Sequence, residues 1–157
     1  MRASSKFSSR VWFRLAGLGL MVALLLAACT TAVTPTPANP IQGIIWQWTS
    51  VTDQSTKQTT AVPNPESYTI IFNATGTLNG KADCNNFSGA YSTQNGFTIQ
   101  LAASTMAFCG EASLDQQYLQ LLSNVAAGGP DGAGNLALET AGGAQRMLFK
   151  NGGPAPK

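Results

Sequence analysis

The chain has 157 residues, 44% hydrophobic and 10% charged, with a formal net charge of +2 and no histidine. This is room for one modest domain with extensions, and the missing histidine removes the commonest general base and metal ligand. The positive sign comes from Arg2, Lys6, Arg10 and Arg14; beyond residue 28 the basic residues are Lys57, Lys81, Arg146, Lys150 and Lys157 against seven acids, a net charge of −2 that argues against nucleic acid as a partner.

Residues 1–28 read as an export signal. A basic segment ending at Arg14 precedes the apolar run Leu15 to Leu26, shorter than the roughly 20 residues that a helix needs to span a bilayer. The run ends in Leu26-Ala27-Ala28-Cys29, which resembles the bacterial lipobox, where the cysteine is diacylated and becomes the new N-terminus. Cys29 is therefore the expected lipidation site, and the expected address is the cell envelope, outside the cytoplasm and anchored to membrane. An uncleaved signal anchor, or ordinary secretion with Cys29 as a spare thiol, are the alternatives.

Residues 29–40 form the lipidated cysteine and a tether: Thr30 to Pro40 carries three prolines and no charge, a composition that favours extended polyproline II with a reach of roughly 30 Å. The domain is expected at residues 41–150, and the Gly/Pro tail 151–157 is expected to be disordered.

Within the domain the pattern is mostly β. Ile44, Trp46 and Trp48 alternate with more polar neighbours, placing both tryptophans on one face, and a polar loop runs from Thr52 to Pro65. Tyr68, Ile70 and Phe72 form the next strand, which turns through Asn73-Ala74-Thr75-Gly76 into a strand over 77–82. Two further strands, 89–93 and 97–102, flank Asn95-Gly96, a pair that supplies the positive φ angles of a tight hairpin. Leu136 and Leu138, then Met147 and Phe149, close the chain as a last pair.

One helix is expected. Ser113-Leu114-Asp115-Gln116 fits a capping box, Leu114, Tyr118, Leu121, Leu122 and Val125 recur at helical spacing, and Gly128-Gly129-Pro130 supplies a stop. The stretch lacks lysine and arginine, so core packing is the reading rather than a membrane surface.

Cysteine parity points to one bridge. With Cys29 acylated in an oxidising compartment, Cys84 and Cys109 have only each other, and the hairpin between them returns the chain. Two buried free thiols are the alternative.

Tyr68 to Phe72, the turn to Gly76, the run Ala82-Asp83-Cys84-Asn85-Asn86-Phe87-Ser88-Gly89-Ala90-Tyr91 and Ser104-Thr105-Met106 resemble the META, or HslJ-like, domain. Asp83 departs from the glycine that often precedes the Cys-Asn pair, and Phe108 lengthens the step to Cys109. The resemblance implies an α+β fold, a small, strongly curved antiparallel sheet with one helix packed on it, frequent in envelope lipoproteins. It implies no settled activity, with links to heat and antibiotic stress.

The motif loop of Asp83, Asn85, Asn86, Gly89 and Tyr91 has a reading without any ligand. Asparagines bond nearby backbone and tolerate left-handed dihedrals, Gly89 permits close backbone approach, and Tyr91 buries its ring while its hydroxyl finds a partner. One carboxylate and two amides make a poor hard-metal site, so no metal and no cofactor is expected. With no nucleophile beside a base, no catalytic residue is named either. The expectation is a non-enzymatic, lipid-anchored module that binds an envelope protein, favoured if Trp46 or Trp48 is exposed. A carrier of an apolar small molecule is the alternative, favoured by a cavity lined by Trp46, Tyr68, Phe97 and Leu121.

Overall fold

The computed structural model describes residues 39–156. The export signal 1–28, the acylation site Cys29 and the tether through residue 38 lie outside the described residues.

Alternating apolar residues separated by turn signals fold as nine strands: β1 (Ile44–Asp53), β2 (Thr59–Ala61), β3 (Tyr68–Phe72), β4 (Thr77–Ala82), β5 (Asn85–Ser92), β6 (Thr98–Ser104), β7 (Val125–Pro130), β8 (Leu136–Thr140) and β9 (Gln145–Pro154). The helix α1 (Asp115–Ser123) lies between β6 and β7. The strands pair antiparallel in the order β6-β5-β4-β3-β1-β9-β8-β7, with the short β2 on the outer end of β1. The sheet curls into a half-barrel until its edges approach, where the Phe97 amide donates to the Ala126 carbonyl at 3.3 Å. It outweighs the nine-residue α1, the one α-helix among the described residues, so α+β describes the fold only loosely.

The concave face holds the core. Trp46 and Trp48 share it as their alternation requires, both essentially without solvent contact, so neither is a surface anchor. Trp48 stacks on Tyr118 of α1 with ring centroids 5.0 Å apart, and Tyr68 meets both edge-on at 5.8 Å. Each such pair adds about 0.5–1.5 kcal/mol beyond its area burial. Tyr118, Leu121 and Leu122 form the buried stripe of α1. Trp46, Tyr68, Phe97 and Leu121 are likewise packed in this one cluster.

Four local expectations are corrected. The capping box does not form: Leu114 is the N-cap and has no side-chain cap, Ser113 Oγ accepts only from the Asp115 amide at 3.2 Å, and the Leu114 amide donates to the Tyr68 hydroxyl at 2.9 Å. The long-range acceptor at the helix start is a core tyrosine, which takes the Leu114 amide rather than the N3 amide of a capping box. The helix ends at Ser123, and Val125 opens β7. Gly128 serves that strand, since a Cβ there would stand 2.6 Å from Leu138 Cδ2. The polar loop from Thr52 contains β2. The tail is ordered through Pro154, because β1 offers its first residues as a ladder; Ile44 pairs with Pro154, and the Ala155 amide donates to the Gly43 carbonyl at 2.9 Å.

The Tyr118 hydroxyl has no protein hydrogen-bond partner, and burial holds its phenol well above the usual range. An unmatched buried hydroxyl costs about 1–3 kcal/mol. Tyr118→Phe is expected to unfold in urea at or above the wild-type midpoint, whereas Tyr118→Ala, which also removes the stacked ring, is expected to lose about 3–5 kcal/mol.

Candidate functional site

Cys84 and Cys109 form a disulfide, with Cα atoms 5.6 Å apart. Ala82 pairs with Asn85, so Asp83-Cys84 is a two-residue hairpin turn between β4 and β5. Such turns need positive φ, and Asp83 supplies it at 58°. This accounts for a residue that short polar side chains share with glycine. Asn85 and Asn86 do not use the left-handed dihedrals that asparagine tolerates: both lie in β5, and among the described residues the non-glycine positive φ angles belong to Lys57, Asp83 and Asn95.

Asn85 is only 2% exposed, and its side-chain amide is fully used. Oδ1 accepts from the Ala107 amide at 2.8 Å and the Thr105 hydroxyl at 3.0 Å. Nδ2 donates to the Ala107 carbonyl and to Asp115 Oδ2, each at 3.0 Å. Two donors and two acceptors are thereby satisfied, so burial carries no desolvation deficit. The Thr105 amide donates to the Asn86 carbonyl at 2.9 Å, and the Asn86 amide donates back to Thr105 Oγ1 at 3.0 Å. Segment 105–109 is therefore held at both ends and in the middle without regular structure of its own.

Two large apolar side chains project from this fixed segment: Met106 is 95% exposed and Phe108 85%. Beside them a cleft of about 250 Å³ is lined by Phe108, Cys109, Gly110, Glu111, Ser113 and Asp115. The exposed pair was missed in the sequence; the available signal was a methionine and a phenylalanine in a stretch that follows neither strand nor helix period.

The remaining motif residues do not join this site. Gly89 lies at a register shift between β5 and β6, where a Cβ would run into the Gln100 carbonyl. Tyr91 sits at the other end of β5, with its ring edge-on to Phe72 at 4.8 Å; its hydroxyl donates to the Asn73 carbonyl at 2.9 Å and accepts from Gln42 Nε2 at 2.6 Å. Asp83, Asn85 and Asn86 do not converge as a cation or sugar site, because the Asn85 amide is spent within the fold and the Asn86 side chain is exposed. Among the described residues, no three Asp, Glu, Cys or His side chains cluster as metal ligands.

A larger cleft, about 430 Å³, lies between α1 and the ends of β1 and β8, with Asp53, Gln117, Gln120 and Thr140 in its lining. Asp53 there stabilises a turn: its carboxylate accepts from the Ser55 hydroxyl at 2.5 Å and from the Ser55 and Thr56 amides, both at 2.9 Å, which lowers its pKa to about 2.

Residues 39–152 match the family described as the META domain. No curated protein matches the chain. Among solved structures, a protein from Burkholderia xenovorans is 20% identical with a TM-score of 0.56, covering 78% of this chain and 94% of its own. A DUF4847 family protein from Bacteroides vulgatus is 12% identical with a TM-score of 0.54, covering 70% of this chain and 93% of its own. At these identities the likeness is one of fold.

The disulfide closes a span of 25 residues, for which chain entropy gives about 3–4 kcal/mol. The double variant Cys84→Ser, Cys109→Ser is expected to melt well below wild type. Asn85→Ala is expected to cost about 2–4 kcal/mol through the stranded Ala107 and Asp115 groups. It is also expected to raise amide exchange selectively at Ala107; unchanged exchange there would remove Asn85 as the organiser.

Proposed function

Because the chain belongs to the META domain family, a family identity that brings no chemistry of its own, we propose from the site's geometry that it is a non-enzymatic, lipid-anchored envelope domain that docks a protein partner. The observation that carries this reading is the display of Met106 and Phe108 on a segment that Asn85 and the disulfide hold still. Exposing two large apolar side chains is unfavourable in water, by about 1.5–3 kcal/mol for each relative to burial. Fixing them beforehand lowers the ordering cost that a partner would otherwise meet on binding.

The apolar carrier fits less well. Trp46, Tyr68, Phe97 and Leu121, the side chains that would have to line its cavity, are buried members of the one core cluster. The anchor rests on Leu26-Ala27-Ala28-Cys29, and a role in heat or antibiotic stress rests only on the resemblance to HslJ-like domains.

Two measurements test the proposal. Intact mass of protein from a bacterial host is expected to show loss of residues 1–28 and gain of diacylglycerol at Cys29; a soluble, unacylated mature chain would overturn the anchor. A photoreactive amino acid at position 108 is expected to give a discrete protein adduct in intact cells, lost with Met106→Ser. The same probe at exposed Thr98 on β6 is expected to give none. Matching adducts from both positions, or none from either, would overturn docking through this segment.

A further inference from the structure

The end of the half-barrel that displays Met106 and Phe108 is also its acidic end. Glu111 is exposed and shares the cleft beside Phe108 with Asp115. Asp83 occupies the turn next to the bridging Cys84, and its amide donates to the Ser67 carbonyl at 2.8 Å, which brings exposed Glu66, the preceding residue, to the same end. Four of the seven acids in the sequence thus lie in the cleft beside Phe108 or at the turn bridged to Cys109, with Lys81 on β4 as a neighbouring base. The other end is where the chain enters the domain. Gln42 bridges to Phe72, and its side chain donates to Tyr91, about six residue pairs along β4 and β5 from the Cys84 turn, a separation of roughly 20 Å.

We infer that the Met106–Phe108 segment with its acidic surround receives a basic amphipathic segment of another protein, an inference that rests on the docking function proposed above. Apolar side chains of the partner cover Met106 and Phe108, while its lysines or arginines face Glu66, Asp83 and Glu111. Charge complementarity selects this occupant. An anionic membrane surface is repelled by the same carboxylates, and it would have to be met by the end of the domain remote from the chain's entry.

The test uses the mature chain from residue 29 with Cys29→Ser, so that no acyl group competes, and a fluorescent 18-residue amphipathic peptide of leucine and lysine read by anisotropy. Binding is expected at about 100 µM peptide or below. It is expected to weaken about tenfold or more in Met106→Ser, Phe108→Ser, and about threefold in Asp83→Asn, Glu111→Gln, with a shallower salt dependence in the latter. Asparagine tolerates the positive φ at position 83, and all four side chains lie at the surface or partly exposed, so both variants are expected to melt as wild type does.

The leucine/glutamate counterpart is expected not to bind. Equal binding of the acidic peptide, or lysine-peptide binding indifferent to loss of Met106 and Phe108, overturns the inference. So does flotation of the chain with phosphatidylglycerol vesicles that depends on those two residues. A cellular adduct at position 108 without lysine-peptide binding would leave docking standing and remove the basic partner. Peptide binding without an adduct would remove the cellular docking function and leave the recognition surface.

Discussion

The side-chain amide of Asn85 is the hinge of the structure's organisation. It is buried at the start of β5, and its hydrogen bonds reach the Thr105 hydroxyl, the Ala107 backbone and Asp115 in the first turn of α1. A buried amide of this kind is costly when half satisfied and directional when fully satisfied. The adjacent disulfide constrains the same junction covalently, so the turn after β4, the segment after β6 and the start of α1 are fixed relative to one another.

That junction is coupled to the core through Tyr68 and Tyr118. Tyr68 accepts from the Leu114 amide one residue ahead of α1, and Tyr118, one turn further on, stacks against Trp48. The helix is thus placed by two tyrosines and an asparagine. A nine-residue helix has little stability of its own, and packing makes up the difference.

Apart from the unpartnered Tyr118 hydroxyl in the core, the fold concentrates its unfavourable features at one end. The core aromatics are covered, and the Arg146–Glu139 pair at 3.4 Å is exposed and contributes little. Among the described residues, the large apolar groups held in water are those of the 105–109 segment. Local rules broken without a compensating contact within the chain are where a binding surface is most reasonably sought.

Legible in the amino-acid order alone were most strands of the meander and the last pair, the Asn-Gly hairpin and the shared face of both tryptophans, because each rests on a local period or a local dihedral requirement, while cysteine parity favoured the bridge between Cys84 and Cys109 over two free thiols. Tertiary structure decided what those rules do not reach. The helix start is tied to the core by the Tyr68 hydroxyl, an acceptor 46 residues away that no local capping rule reaches. Gly128 and residues 151–154 became strand because β8 and β1 offered ladders to pair with. The exposure of Met106 and Phe108 depends on where Asn85 directs its amide, a long-range hydrogen-bond geometry that no periodicity encodes.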